Sequence, residues 1–420
     1  MLWLQSLREH LRLSLWFVPS VLTIAAALLA LLLVAVDQRR AVDGSEFLFS
    51  FGGSPEGARS VLSTIAQSML TFTGLVFTIT MLVLQLASSQ LSPRVMRTFL
   101  RDRGNQVVLG TFVATFVFTL LVLREVRTPI DGSDAFVPAI SVWVAFALLL
   151  ASIGAFVWYI DHMAHAIRAS TVIANIWTET VKAIERLYPE RVGVQAGDTD
   201  WAPSNPPGIV LKSPKAGVVV RVDEAALLEA TAGDDRVIEL CPRVGDFIPQ
   251  GAPLVRLWGA WTRDTAEEVR DGVAIDGERT MDQDAAFGFR QLVDVAVRAL
   301  SPGTNDPTTA VQALDRIHDL LRRLAQREIP SPIRSLDGRV RLILPRPTWD
   351  DYVQLGLEEI RLAGATQVQV IRRLRAILDD LATEVPDDRR AALRGERREL
   401  ELLLTGGRPS GGDSLTGAPR

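Results

Sequence analysis

The chain has 420 residues, 48% of them hydrophobic and 22% charged, with a formal net charge of −4. That length accommodates two or three domains, and the charge balance offers no basic field of the kind that attracts nucleic acid. The single cysteine, Cys241, excludes an intrachain disulfide framework and a cysteine-rich metal site. Basic residues are almost all arginine, with lysine only at Lys182, Lys212 and Lys215, a bias associated with GC-rich bacterial genomes.

In chain order, four uncharged apolar runs come first, at 15–36, 60–93, 107–123 and 137–160. Each is long enough to cross a hydrocarbon core of about 30 Å as a helix, which needs roughly 17–25 residues. The first run follows Arg8 and Arg12 like a signal peptide, but further spans follow it, so a retained helix is expected. Arg8 and Arg12, with Arg94, Arg97, Arg101 and Arg103 between the second and third runs, place the N-terminus and C-terminus on the cytoplasmic side of a bacterial inner membrane.

The second run carries the most informative pattern. Ser54 and Pro55 read as an N-cap and first helical position, and Ser60, Thr64, Gln67, Thr71, Gly74, Thr78, Met81, Gln85 and Ser88 then recur at intervals of four and three. That spacing puts a small and polar stripe on one side of the helix. Two readings follow: a packing surface against another helix, or the lining of a water-filled path built by copies of this helix around an oligomer axis. Thr111, Thr115 and Thr119 give the third run a second polar face, expected to pack on the first. Asp161 and His165 close the fourth run as a boundary pair able to share a proton or metal. No proline or glycine follows Gly154 before Tyr188, so one unbroken helix is expected there.

Residues 192–207 read as a linker. Short β-like runs follow at 217–222, 237–240 and 253–257, with a turn at 244–251. Ser213, Pro214, Gly217, Gly245, Asp246, Gly251, Pro253 and Leu254 resemble the barrel-sandwich fold of biotinyl and lipoyl carrier domains. Those domains carry their cofactor on a hairpin lysine, and no lysine follows Lys215, so a swinging-arm function is excluded and no cofactor is expected.

Further on, Gln283, Asp284, Phe287, Gly288 and Arg290 form a Q-D-x-x-F-G-x-R run, and residues 299–310 read A-L-S-P-G-x-N-D-P-x-T-A. With the four spans, these motifs make nearly the whole chain similar to a bacterial family of predicted membrane proteins, domain of unknown function 2254. The resemblance implies a membrane protein and assigns no activity to particular residues. Arg290, Asp294 and Arg298 stand one helical turn apart as a charge ladder, and Asp306-Pro307 opens the next helix. Capping and ion pairing explain this cluster structurally; alternatively Arg290 and Arg298 bind an anionic ligand, with Gln283, Asp284, Asp294, Asn305 and Asp306 completing a polar site. A strand is expected at 338–344, and helices at 348–362, 366–383 and 389–404, the first opened by a capping box at Thr348.

The expected architecture is therefore an α-helical membrane domain with four transmembrane helices (1–168), a connecting helix and linker (169–207), a small barrel-sandwich-like β module (208–260), a mainly helical cytoplasmic domain (261–405) and a tail (406–420). No phosphate-binding loop, nucleophile elbow or zinc-helix motif occurs, which speaks against an enzyme. The leading functional expectation is a homo-oligomeric channel or transport-like protein passing a small ion, with a cytoplasmic assembly or sensor domain. The rival is a membrane-anchored scaffold or regulator that binds a ligand or partner through that domain.

Overall fold

The computed structural model describes residues 16–43, 54–90, 103–128, 136–166, 168–188, 205–232, 235–336 and 338–405. It divides into two compact units, Met1–Thr171 and Val172–Arg420. Arg8, Arg12, Arg94, Arg97 and Arg101, the Ser88 side chain, most of the linker and the 406–420 tail lie outside the described residues.

In the first unit four helices are long and apolar enough to cross a membrane: α1 (Phe17–Asp43), α2 (Pro55–Gln90), α3 (Arg103–Glu125) and α4 (Ala139–Ala166). The Ser54 hydroxyl accepts the Gly57 N–H at 3.2 Å, so α2 starts at the expected cap. It then runs 36 residues, about 54 Å at 1.5 Å per residue, longer than a bilayer core requires. Helix α3 is central and packs on α1, α2 and α4. Its Gly110 permits the close approach of α1, because a Cβ there would stand 3.0 Å from the Pro19 Cα. Phe72, Phe112 and Phe156 join α2, α3 and α4, with the Phe72 and Phe156 rings stacked at 4.9 Å. At the end of α1 the buried Asp37 carboxylate accepts the Ile140 and Ser141 N–H groups and the Ser141 hydroxyl, at 3.2, 3.1 and 2.7 Å. One helix thereby caps the start of another, satisfying donors that α4 cannot satisfy itself.

The helix expected to run unbroken from Gly154 to Tyr188 is in fact two. α4 stops at Ala166 and α5 spans Ala169–Leu187. Arg168 N–H bonds to the His165 carbonyl and Thr171 N–H to that of Arg168, three-residue turns in place of the α-helical ladder.

The second unit begins within α5 and continues with strands β1 (Ile209–Lys212) and β2 (Gly217–Val222), helix α6 (Glu224–Ala230), and strands β3 (Val237–Leu240), β4 (Phe247–Ile248) and β5 (Pro253–Trp258). Helix α7 (Arg263–Asp271) and strand β6 (Val273–Asp276) follow, then helices α8 (Ala285–Ala299) and α9 (Pro307–Ala325). The remainder is β7 (Ile333–Leu336), β8 (Arg339–Ile343), α10 (Trp349–Ala363), α11 (Val368–Glu384) and α12 (Arg390–Leu404).

The strands form two open sheets, ordered β1-β5-β3-β8-β7 and β4-β2-β6, and no closed barrel exists among the described residues. Both sheets contribute to one core, with Val219, Val222, Ile248 and Ile275 from the smaller sheet and Ile238, Leu254, Val255, Leu257 and Leu342 from the larger. The β module is not contiguous in sequence: β6 and the β7-β8 hairpin enter from beyond residue 260, and β8 pairs parallel to β3. The helices pack as α8 on α9 and α10, α9 on α11, and α12 on α10 and α11. Thr348 caps α10 in the expected capping box with Asp351, and Asp306 caps α9.

Candidate functional site

Every stripe residue of α2 whose side chain is described, Ser60, Thr64, Gln67, Thr71, Gly74, Thr78, Met81 and Gln85, is exposed. The buried residues of the same helix, Ala58, Leu62, Ile65, Ala66, Met69, Val76 and Val83, lie roughly opposite, about 180° away at 100° per residue. The stripe therefore does not pack on the other spans of this chain. Thr64, Thr71 and Thr78 turn their hydroxyls onto carbonyls four residues back, at 2.8, 3.0 and 2.9 Å. A Cβ added at Gly74 would meet nothing within 4 Å. Among the described residues, neither Gln67 nor Gln85 has a hydrogen-bond partner for its amide.

On α2 the exposed Leu70, Leu75, Phe77 and Leu82 flank the polar stripe, whereas the outward faces of α1 and α4 show apolar side chains. Ile24, Leu28, Leu31 and Leu32 are exposed on α1, and Phe146, Leu150, Ile153 and Val157 on α4, as lipid contact requires. The polar face expected on α3 turns inward: Thr115 and Thr119 are buried, and the Thr115 hydroxyl meets that of Ser152 on α4 at 3.2 Å rather than the α2 stripe. Thr80, off the stripe, also faces inward, 2.8 Å from the buried Tyr159 hydroxyl. His165 Nδ1 bonds locally to the Asp161 carbonyl at 2.8 Å, and no group of three metal-ligating side chains occurs among the described residues.

The polar residues expected to form one cytoplasmic site are spread along α8 and beyond. Asp284 caps one end of α8 and Arg298 lies near the other, separated by fourteen residues, about 21 Å. Arg290 donates through Nε to Asp294 at 2.7 Å and makes a two-pronged ion pair with Glu359 on α10, with Nη2 to Oε2 at 2.6 Å. Hydrogen bonding to Glu359 leads the effects that raise its pKa, so this guanidinium is a clamp between helices. Asn305 adopts φ 46° and accepts the Gln367 amide at 3.0 Å. Asp306 accepts the Thr308 and Thr309 N–H groups and the Thr309 hydroxyl, which hold its carboxyl below the ordinary range. Gln283 pairs both ends of its amide with the Val222 backbone, at 2.8 and 3.0 Å, in the manner of a strand neighbour.

Of that set Gln283 lines a cavity, and so does Asp284. Its carboxylate caps α8 through the Phe287 N–H and pairs with Arg279 at 2.8 Å, while burial pushes its pKa up. Gly245, at φ 96°, lets the backbone press against this pair, since a Cβ there would overlap the Asp284 carboxylate and stand 2.9 Å from Arg279 Nη2. Two cavities, of about 70 and 210 Å³, share Val244, Asp284, Pro347 and Tyr352 as walls. Sequence reasoning missed Tyr188, Arg346 and Tyr352, which line the smaller one. They come from three separate segments, and only the tertiary fold gathers them.

Four helices long and apolar enough to cross a membrane, followed by a mixed α/β unit, define a polytopic membrane protein. The chain belongs to the family described as Predicted membrane protein (DUF2254), whose pattern matches residues 12–380. It is similar to Uncharacterized protein Mb1321c of Mycobacterium bovis and Uncharacterized protein Rv1290c of Mycobacterium tuberculosis. Each is 36% identical over 354 residues, which cover 82% of this chain and 67% of the relative. No solved structure matches.

Proposed function

We propose that the protein assembles with copies of itself through the polar face of α2, and that the assembly conducts a small ion or solute along that face across a bacterial inner membrane. Both termini are cytoplasmic in this reading, and the second unit serves as assembly platform or sensor. The observation that carries it is the outward direction of Gln67 and Gln85, opposite the buried face of the same helix. An amide facing hydrocarbon costs roughly 4–8 kcal/mol when nothing can bond to it, and no side chain among the described residues of this chain relieves either one. A second copy or water relieves both.

The assembly is tested by placing a cysteine at the stripe, Thr71→Cys, and at the apolar face of α1, Leu28→Cys, each in a Cys241→Ala background. Oxidation in membranes should link copies through position 71 and not through position 28. A monomeric particle with no cross-link at 71 would reject the assembly. Conduction is tested separately by ion flux from the purified chain in liposomes; a folded oligomer without flux removes the pathway and leaves the interface.

A further inference from the structure

The cavity of about 70 Å³ in the second unit is bounded by the ends of several elements: Tyr188 after α5, Glu224 opening α6, Asp284 capping α8, Arg346 before α10 and Tyr352 within it. The parallel strands β3 and β8 both point their carboxyl ends at it, through Leu240 and Leu344, the end at which α/β sheets bind ligands.

Its hydrogen bonding does not close. The Tyr188 and Tyr352 hydroxyls lie 2.7 Å apart, both residues are at most 4% exposed, and neither hydroxyl has another partner among the described residues. Two O–H groups sharing one hydrogen bond leave one proton without an acceptor. Arg346 lines the cavity and its buried Nε has no partner; among the described residues no other arginine lining either cavity has such a nitrogen. The carboxylates at the wall are already engaged: Asp284 by Arg279, and Glu224 by both Arg346 and Arg334. Two arginines on one glutamate leave one positive charge, and desolvation together with the Arg346 charge lowers the Arg334 pKa. The groups left over are thus donors beside a net positive charge.

We propose that this cavity is a binding site for a small oxyanion, a carboxylate or phosphate group, which accepts from Arg346 Nε–H and from the spare tyrosine hydroxyl. Such a ligand supplies what the site lacks: acceptors and one negative charge. The inference is independent of α2 and of conduction.

The test uses the full chain in detergent, in a chloride buffer at fixed ionic strength, titrated calorimetrically with inorganic phosphate and with acetate. Saturable binding of one ion per chain is expected, and the tighter of the two identifies the oxyanion. Arg346→Gln should weaken it roughly ten- to hundredfold, as loss of a charged hydrogen bond implies. The double variant Tyr188→Phe/Tyr352→Phe should weaken it about tenfold without lowering the melting temperature, because replacing both members of a pair by apolar groups is nearly neutral. A purely structural tyrosine pair gives a different result, an unchanged affinity. If Arg346→Gln fails to fold, the tyrosine variant carries the decision. No saturable binding of either ion at tens of millimolar, or binding that survives the tyrosine variant, overturns the proposal.

Discussion

Replacing Arg290 by alanine separates a structural clamp from a ligand-binding residue. Arg290 is held by Asp294, whose side chain is 14% exposed, and by Glu359, at 49%. A hydrogen bond to a charged group contributes about 1.5–3 kcal/mol, and the Asp294 contact is buried enough to carry that figure. The Glu359 pair is screened by solvent and adds roughly 0.2–1 kcal/mol. Together the loss is about 2–4 kcal/mol. In a unit the size of Val172–Arg420, each kcal/mol moves the melting temperature by roughly 2–4 °C. The second unit should therefore melt roughly 4–16 °C lower in Arg290→Ala, followed by near-ultraviolet circular dichroism of the full chain in detergent. Glu359→Gln should cost less than about 1 kcal/mol by the same assay. An Arg290→Ala shift below about 2 °C would falsify the clamp and reopen the anion-binding reading of this arginine.

Gly288 on α8 faces Thr180 on α5, and a Cβ there would overlap the threonine hydroxyl and stand 2.7 and 2.8 Å from Cγ2 and Cβ. Gly288→Ala should cost about 1–3 kcal/mol as overpacking, read by thermal melting; Thr180→Ala removes two of the three conflicts and should recover part of the loss. Asp306→Ala should cost about 1 kcal/mol as a lost N-cap, whereas Asp306→Asn retains the cap. Because the folded state depresses the Asp306 pKa through the Thr309 hydroxyl and backbone, its ionised form contributes stability above the unfolded carboxyl pKa. That contribution disappears as pH falls through the lower folded value. Melts of wild type and Asp306→Asn should therefore converge as pH falls below about 4, and a gap unchanged down to pH 3 would contradict the assignment.

Long signals in the sequence were legible and short ones were not. The four spans, the α10 capping box and the Asp306 cap were visible because each rests on a run or motif local to the chain. Strands β2 and β3 stood out as β-branched runs at their observed limits. Strands β6 and β7 carry Ala274 and Asp276, and Arg334 and Ser335, among their four residues and so present no β-branched run. The turn between α4 and α5 contains no proline or glycine, so composition gave no sign of it. The charge ladder on α8 left two readings open, ion pairing and an anion pocket; the partner that decides for ion pairing at Arg290 is Glu359, 69 residues downstream and invisible to any local spacing. No spacing rule links Tyr188, Arg346 and Tyr352, which meet only because α5, the end of β8 and α10 converge.

The α2 stripe faces away from the helices of its own bundle. Periodicity alone permitted the stripe to be an internal packing face, since Ser, Thr and Gly are the usual contact residues between membrane helices. In this chain that role belongs to other positions. Gly110 admits α1 against α3, Thr115 meets Ser152, and Thr80 meets Tyr159. The interior contacts of the bundle are made without the stripe, and the face left outside is the one with two amides. Threonine can satisfy its hydroxyl on its own helix, as Thr64, Thr71 and Thr78 do, so those positions tolerate lipid. Gln67 has no equivalent arrangement here. The weight of the assembly reading therefore falls on Gln67 and Gln85 rather than on the regular spacing, and Gln67→Leu with Gln85→Leu is the substitution that should weaken self-association most while leaving the fold of the single chain unchanged.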